Sequence, residues 1–512
     1  MRIDNIKLKI GESEEKLKKI AEEKLRGRCA YLRILKKSLD ARNKSDIRWV
    51  YSVEADRTVP KAEERVPVQT KHPGERIVVV GSGPAGLFCA VRLVEHGFAP
   101  TVLERGGDVD ARAEQNERFF RCRTLDENTN VQFGEGGAGT FSDGKLNTQT
   151  HTPLNREVLE TFVRFGAPEE ILYLSKPHIG SDNLKKVVRR MREYILARGG
   201  KVLFGFLFDG LTMREGRVFS ASAHCVSSGE GAEFPCDALV LAIGHSSRDT
   251  FALLQKENFA MEQREFAVGA RIEHLQEKIG ISQYSVWHKW LPPADYKLVS
   301  HAGGRSAFTF CMCPGGYVMP AASEAGGIVT NGMSNYAREG INANSALLVQ
   351  IRRSDFDRGD VLDGVRFQRR IEQAAFQAAG GDYAAPVQRV SDFMAGRATE
   401  KFGEVLPTYA AGTAMCDLNA LLPDYVAAPM KAALSDMGRR LSGFDHPDAL
   451  LTAPETRFSS PVRVLRGENL ESVSHGGVYP CGEGCGYSGG IMSSAADGLR
   501  VAERIFEKCE NE

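Results

Sequence analysis

The sequence IVVVGSGPAGLFCAVRLVEHGFAPTVLE spans residues 77–104 and contains three predicted elements in a row. Four consecutive branched apolar residues, Ile77 to Val80, predict a buried strand, and the apolar run from Pro84 to about His96 predicts a helix. Residues 101–105 predict the next strand. A strand, a helix and a strand within about thirty residues form a βαβ unit, so the two strands are expected to be parallel.

The turn between the first strand and the helix, GSGPAG at 81–86, has the glycine spacing of a dinucleotide-binding loop. Gly81 permits the tight turn, Gly83 lets the backbone approach a pyrophosphate, and Gly86 lets helix and strand pack closely. The positive end of the helix then faces the phosphates. Glu104 ends the second strand, where a carboxylate can accept from both ribose hydroxyls. These features together predict dinucleotide binding.

Composition limits the remaining possibilities. The chain has 512 residues, 66 basic and 66 acidic, with 26% charged and 42% apolar residues, which is typical of a globular protein of two or three domains. We expect no membrane span and a cytoplasmic location, because glycines and Arg92 interrupt the apolar run and the N-terminus has no signal-peptide core. Eleven cysteines without a CxxC pair favour reduced thiols, and we predict no metal site.

The pattern along the chain predicts an α/β protein, with a doubly wound Rossmann-like domain, an inserted β-rich mixed domain and a small α+β module at the N-terminus. The module with its linker covers 1–71 and carries 19 basic against 12 acidic residues. Residues 72–261 and 451–512 are assigned to the Rossmann-like domain, and 262–450 to the inserted substrate domain. Within the insert we expect helices near 344–351 and 365–379.

Two further glycine-rich segments resemble cofactor-binding motifs of flavoproteins. Residues 134–145, GEGGAGTFSDGK, lie where such proteins wrap backbone amides around the cofactor, and residues 479–491, YPCGEGCGYSGGI, resemble their closing FAD motif. Residues 238–244, ALVLAIG, resemble the strand and turn that precede it. The predicted cofactor-binding residues are Gly81, Ser82, Gly83, Pro84, Ala85, Gly86, Glu104, Arg105, Gly136, Gly137, Gly139, Thr140, Leu207, Ile243, Gly244, Gly482, Glu483, Gly489, Gly490 and Ile491.

From about 75 to 510 the chain resembles the glutathione-reductase-like FAD fold, and within it the FAD-dependent dehydrogenase family related to the HI0933-like flavoproteins. Segments such as PHIGSDNL (177–184), FTFCMCPGGYV (308–318) and PETRFSSPVRV (454–464) carry the finer resemblance. FAD is the cofactor that it implies. A second GxGxxG unit and the CxxC of the disulfide reductases are missing, so NAD(P)H is expected only as a transient electron donor, or another donor is used.

Four residues are candidates for proton or electron transfer beside a flavin, and each also has a structural interpretation. His178 could act as general acid or base, although a turn-capping histidine is favoured. Lys145 could stabilise reduced flavin, bind an acidic substrate or pair at the surface. Cys313, with Cys311, could exchange with a disulfide or simply pack, since free cysteines are often inert. Tyr487 could contact the flavin or be structural.

The sequence therefore predicts an FAD-dependent oxidoreductase that acts on a small molecule by hydride transfer. A flavin monooxygenase is the first alternative. The second is an RNA-modifying or RNA-binding flavoprotein that uses the basic residues of 1–71, although lysines interleaved with glutamates favour a solvated helix face there. Substrate and oligomeric state are left open.

Overall fold

The N-terminal module, residues 1–56, is a three-stranded antiparallel sheet with one packed helix. The computed structural model describes residues 1–60 and 74–511, so most of the predicted linker lies outside the described residues. The elements of the module are β1 (Arg2–Lys9), α1 (Glu15–Leu25), β2 (Tyr31–Asp40) and β3 (Arg48–Asp56), with β3 in the middle of the sheet. Leu17 and Ala21 of α1 are buried against this sheet, which gives the module its own core.

The second group of elements begins with the predicted βαβ unit. It comprises β4 (Ile77–Val80), α2 (Pro84–Glu95), β5 (Thr101–Glu104), α3 (Val109–Cys122), α4 (Leu154–Arg164), α5 (Ser181–Ala197), β6 (Lys201–Phe204), β7 (Phe206–Arg214), β8 (Arg217–Cys225), β9 (Gly231–Pro235), β10 (Ala238–Leu241) and α6 (Arg248–Lys256). The strand predicted at 201–208 is divided in two, because Gly205 has a φ of +73°. That turn sends the chain into a separate antiparallel sheet of β7, β8 and β9.

The third group builds a seven-stranded sheet. Its elements are β11 (Met261–Gln263), β12 (Phe266–Leu275), α7 (Gln276–Tyr284), β13 (Val299–Ser300), β14 (Ala307–Cys313), β15 (Tyr317–Pro320), β16 (Thr330–Met333), β17 (Asn342–Ile351), α8 (Arg353–Phe356), α9 (Asp363–Ala378), β18 (Ala385–Arg389), α10 (Val390–Ala395), β19 (Thr413–Met415), α11 (Leu418–Leu421), α12 (Asp424–Arg440) and β20 (Leu450–Glu455). The sheet order is β13-β14-β17-β12-β20-β18-β19, and every pair but the last is antiparallel.

One predicted helix in this region is wrong. Residues 344–351 belong to β17, which pairs with β12 over ten residues and with β14 on its other side. A strand covered on both faces shows no alternation of polar and apolar residues, so periodicity could not distinguish it from a buried helix. The helix predicted at 365–379 is confirmed as α9.

The chain closes with β21 (Val462–Val464), β22 (Val478–Pro480) and α13 (Ile491–Asn511). The parallel sheet has the order β22-β10-β4-β5-β6, so the last strand of the chain lies beside β10 and one strand away from β4. Helix α13 packs against α2, because Gly498 leaves no side chain between them. The two ends of the Rossmann-like fold therefore meet, as predicted. No helix in the described ranges is long and apolar enough to cross a membrane.

Candidate functional site

A cavity of about 980 Å³ opens where the carboxyl ends of the parallel strands face the seven-stranded sheet. Its wall comes from the turns after β4, β5 and β10, from residues 206–208, from the glycine-rich loop at 134–142, and from residues 481–494. The opposite wall comes from residues 295–299, 308–312 and 455–458. This is the crevice at strand ends in which open α/β sheets bind ligands.

The first glycine loop has the geometry that its sequence predicts. Gly81 has a φ of +100°, and a Cβ there would lie 2.4 Å from the carbonyl oxygen of Ala242. A Cβ on Gly86 would lie 1.9 Å from the Gly81 oxygen, so only glycine allows α2 to pack this closely on the strand end. Gly83 is the N-cap of α2 and offers no capping side chain, which leaves the first-turn amides available to an anion.

Glu104 holds three loops of the cavity together. One carboxylate oxygen accepts from the Ser82 amide at 3.0 Å and from the Ser82 hydroxyl at 2.8 Å. The other accepts from the amides of Gly106 at 2.9 Å and Gly134 at 3.0 Å. The side chain also borders the cavity, so its predicted contact with a ribose remains a prediction beside this structural role.

The closing turn, residues 481–490, is fixed by a buried ion pair. Asp497 of α13 accepts from the Gly482 amide at 2.9 Å and pairs with Arg466 at 2.7 Å. The turn presents Glu483 to the cavity, 3.7 Å from Nδ1 of His245. A Cβ on Gly489 or Gly490 would meet no atom within 4 Å, so this backbone faces open space.

Comparison with known proteins shows the family to which the chain belongs. Residues 265–458 match the model described as FAD-dependent protein, C-terminal domain-like, residues 79–134 match an NAD(P)-binding Rossmann-like domain, and residues 1–56 match a domain of unknown function, DUF8436. An uncharacterized protein of Clostridium beijerinckii is 44% identical over 532 residues, covering 99% of both chains. The chain belongs to this FAD-dependent flavoprotein family. FAD is its cofactor.

Solved structures similar to this FAD-dependent flavoprotein have low sequence identity. One is a geranylgeranyl bacteriochlorophyll reductase-like protein from Thermoplasma acidophilum, 11% identical with a TM-score of 0.38, covering 85% of this chain and 79% of that one. Another is a flavoprotein/dehydrogenase from Cytophaga hutchinsonii, 10% identical with a TM-score of 0.39, covering 86% and 80%.

The cavity of this flavoprotein fits FAD. Its lining includes the glycine loop with an uncapped helix start, and the closing turn with the start of α13. Gly244 also borders it, where an added Cβ would meet no atom within 4 Å. His245 is a half-buried residue of the cavity wall, and its buried Nε2 has no hydrogen-bond partner among the described residues. Such a polar atom is expected where a ligand completes the site.

Most of the predicted cofactor-binding residues border this cavity. They are Gly81, Gly83, Pro84, Ala85, Glu104, Arg105, Gly137, Gly139, Leu207, Ile243, Gly244, Glu483, Gly489, Gly490 and Ile491. Five others lie behind its wall, namely Ser82, Gly86, Gly136, Thr140 and Gly482. These five shape the loops: a Cβ on Gly136, for example, would lie 2.0 Å from the Thr140 hydroxyl oxygen.

Two of the four candidate reacting residues reach the cavity. Lys145 does so, and its ammonium donates to the carbonyl of Met312. Tyr487 does so as well, but its hydroxyl donates to the Val464 carbonyl at 3.0 Å and accepts from the Arg466 amide at 2.9 Å. This phenol therefore has a structural role, with the Arg466 guanidinium 3.8 Å from the ring centroid.

The structure does not bring the other two candidates to the cavity wall. His178 lies 3.1 Å from the carbonyl of Tyr336 through Nε2 and stacks on the Tyr336 ring, while burial lowers its pKa. Its ring therefore links this turn to the segment of Tyr336, and both a catalytic and a turn-capping role stay predictions. Cys313 is fully buried, because the strand bulges before it, and Cys311 lines the cavity in its place.

Residues that the sequence reasoning missed supply most of the ionisable groups. Glu455 and Arg457 belong to the PETRF segment, and His245 follows the turn after β10. Arg271 is fully buried in β12, 3.2 Å from a carboxylate oxygen of Glu455. The PETRF segment carries part of the family resemblance, but only the pairing of β12 with β20 shows that its glutamate meets an arginine 184 residues away.

Burial sets the protonation of the two acids. It raises the pKa of Glu483 to about 8, with the nearby Cys311 adding to the effect. It raises the pKa of Glu455 to about 7, although the Arg271 guanidinium opposes the change. Burial, with the charges of Arg457 and Arg248, lowers the pKa of His245 to about 3. At neutral pH Glu483 therefore holds a proton and His245 does not.

One group of described residues has the arrangement of metal ligands, Glu404, His446 and Asp448, whose ligand atoms lie within 4.8 Å of one another. Lysine and arginine side chains of the protein already pair with or contact these three residues. Lys278 pairs with Glu404 and lies 3.2 Å from the His446 ring nitrogen, and Arg389 pairs with Asp448 at 2.5 Å. The cluster is accounted for as a surface ion-pair network.

Proposed function

We propose that this protein is an FAD-dependent oxidoreductase, a dehydrogenase or reductase of the glutathione-reductase-like class, that moves a hydride between flavin and a small molecule in the cavity. When bound, FAD supplies the hydride acceptor and donor. The observation that supports this most is Glu483, a half-buried carboxyl of the closing turn that borders the cavity and whose pKa of about 8 keeps it protonated at neutral pH. Such a group can protonate the atom that hydride addition leaves negative, and take the proton back in the reverse direction.

The far end of the cavity indicates the substrate class. Phe308, Phe310 and Phe458 line it, with the Phe310 and Phe458 ring centroids 4.5 Å apart. Aromatic walls favour a substrate with an apolar or planar body.

Lysines stand beside these rings. Lys145, Lys176 and Lys297 border the cavity, and Asp295 pairs with Lys176 at 2.6 Å. Although burial alone would raise it, the charges of Lys176 and Lys145 lower the pKa of Asp295. The net charge of these four side chains is positive, so we propose a substrate that also carries an acidic group.

The test starts from the absorbance spectrum of the purified protein, which should show flavin bands, if necessary after reconstitution with FAD. Under anaerobic conditions NADH, NADPH and reduced dyes are then compared as donors, and carboxylic acids with a C=C, C=N or C=O bond as acceptors. The Glu483→Gln variant should keep FAD but transfer hydride about 10²- to 10⁴-fold more slowly. Glu468→Gln, at an exposed position of the preceding segment, is the control.

Two results would contradict the proposal. Absence of flavin bands after reconstitution would show that the protein does not bind FAD. Equal rates of hydride transfer for Glu483→Gln and the control would show that Glu483 is not the proton donor. Rapid formation of peroxide or of a hydroxylated product from the reduced protein in air would favour the monooxygenase alternative.

A further inference from the structure

The thiol pair, Cys311 and Cys313, occupies an irregular part of β14. The pairing of β14 with β17 shifts register between Phe310 and Cys313, and Cys311 has a φ of +42°. Non-glycine residues rarely adopt this conformation, and it is found preferentially at functional sites. The bulge separates the roles of the two thiols: Cys311 borders the cavity, while Cys313 is fully buried behind it.

Two cationic side chains contact the segment of the thiol pair, and the carboxyl groups of Asp143, Glu455 and Glu483 also lie near it. The guanidinium of Arg271 lies 3.6 Å from Sγ of Cys313 and donates to the Cys311 carbonyl at 2.9 Å. From the other side, the ammonium of Lys145 donates to the carbonyl of the intervening Met312. Cationic surroundings stabilise a thiolate, which is the reactive form of cysteine.

The two thiols have opposite acidities. The neighbouring Cys313 side chain lowers the pKa of Cys311 to about 6, and the charges of Arg271 and Lys145 act in the same direction. The neighbouring Cys311 and burial raise the pKa of Cys313, whose thiol donates to the Cys311 carbonyl at 3.2 Å. An accessible thiolate beside a buried thiol is the arrangement in which one sulfur attacks and the second resolves the product.

We propose that the thiol pair is a redox-active dithiol that reduces a small disulfide entering the cavity. The Cys311 thiolate attacks one sulfur of the disulfide, so a mixed disulfide forms and one thiolate leaves. The Cys313 thiol then gives its proton to the thiolate that left and attacks Sγ of Cys311, which releases the second thiolate and forms the Cys311–Cys313 bridge. Two electrons pass from the pair to the substrate, and a thiol reductant restores the dithiol. The Cys313 sulfur lies 3.2 Å from the Cys311 carbonyl oxygen, so the resolving thiol is already folded back toward Cys311.

The positions of arginine and lysine allow the oxidation state of the thiol pair to be measured on a single tryptic peptide. Trypsin releases residues 306–338 as one peptide, and Cys311 and Cys313 are its only cysteines. The probe is 5,5′-dithiobis(2-nitrobenzoate), an aromatic disulfide with carboxylate groups, added to the folded protein before acid quenching and mass spectrometry. We expect the peptide to lose two hydrogens and to carry no adduct. Cys313→Ser should instead retain one adduct, and Cys311→Ser should react at least about tenfold more slowly.

Cys225 is the matched control within the same chain. Hydrogen bonds from Ser227 and Ser228 lower its pKa to about 6 as well. The other cysteine of its tryptic peptide, Cys236, lies at the opposite end of the β8 and β9 pair, where Ser220 faces Pro235. Cys225 should therefore keep its adduct.

A stable adduct on peptide 306–338 of the unmodified protein, or identical behaviour of Cys313→Ser and the unmodified protein, would overturn the inference. Cys313→Ala gives a second version of the buried change, and circular dichroism shows that each variant is folded. The flavin spectrum of the same samples separates this inference from the proposed function, which it does not require. Protein with normal flavin bands and no bridge contradicts only the dithiol, and a bridge in protein that fails hydride transfer contradicts only the proposed oxidoreductase.

Discussion

At the residue scale, Glu104 shows how one predicted ligand can have a second role. Its carboxylate accepts four hydrogen bonds from Ser82, Gly106 and Gly134, which belong to three different loops around the cavity. Amides that lose a charged acceptor in a buried site cost about 1.5–3 kcal/mol each. The residue therefore organises the cavity whether or not it also binds a ribose.

We predict that Glu104→Gln lowers FAD affinity at least about tenfold, because its NH₂ group cannot accept from the loop amides. The ratio of flavin to protein after dialysis measures the effect. Glu114→Gln, at an exposed position of α3, should leave that ratio unchanged. Full retention of FAD by Glu104→Gln would show that the loops are held without this carboxylate.

Glu483 predicts a pH dependence of stability. Its folded-state pKa of about 8 lies above the ordinary value of 4.5, so the folded protein binds the extra proton. The contribution of Glu483 to stability is then fully present below about pH 4.5 and is lost as the pH rises toward 8. Glu483→Gln should lose part of this decline, so its melting temperature relative to the unmodified protein should rise by a few degrees between pH 5.5 and 8. An unchanged difference across that range would contradict the assigned protonation.

At the element scale, the contact between α2 and α13 positions the closing turn. A Cβ on Gly498 would lie 2.1 Å from the carbonyl oxygen of Ala85, which is backbone and cannot move aside easily. Both helices begin at the cavity, so their separation determines where the closing turn stands.

We predict that Gly498→Ala forces the helices apart and reduces both thermal stability and FAD retention, at a cost of about 1–3 kcal/mol. Differential scanning fluorimetry and the flavin-to-protein ratio measure the two effects. Gly231→Ala is the control, because a Cβ at that strand position meets no atom within 4 Å. Equal behaviour of the two variants would mean that α13 tolerates displacement.

At the scale of the whole molecule, a buried arginine network joins the two sheets. Arg248 of α6 pairs with Glu372 of α9 at 2.8 Å, and Arg457, which follows β20, pairs with the same carboxylate at 3.1 Å. Burial alone would raise the pKa of Glu372, but the two guanidiniums hold it below its ordinary range.

We predict that Glu372→Gln destabilises the protein by up to about 3–5 kcal/mol, because Arg248 and Arg457 then share only the Glu324 carboxylate, which lies 2.5 Å from the first and 3.7 Å from the second. Since the pKa of Glu372 is lowered in the folded state, the stabilisation is present above about pH 4.5 and is lost as the pH falls. Melting curves should therefore differ most near pH 7 and converge in acid. Glu400→Gln, at an exposed position, should melt like the unmodified protein.

The N-terminal module docks through its strand edge. The amide of Lys37 donates to the Tyr173 carbonyl at 2.8 Å, and the amide of Ser175 donates to the Lys37 carbonyl at 2.9 Å. No residue before Val80 borders the cavity in the part of the chain that the structure describes. We predict that a chain lacking residues 1–60 keeps its flavin spectrum. Salt-dependent retention of RNA by the full chain that disappears in this shorter chain would support the RNA-binding alternative. No retention of RNA at low salt would contradict that alternative.

The sequence alone determined the parallel βαβ core and the glycine loops, because strand and helix periodicity and glycine spacing are local properties of the chain. The boundaries of the inserted domain and the ligand contacts of individual residues stay predictions. Only the tertiary structure decided the chemistry of the cavity: that Cys311 and not Cys313 lines it, that His178 lies away from it, and that Glu455 meets Arg271. Bulges, burial and long-range ion pairs depend on which strands become neighbours, and no short segment encodes that.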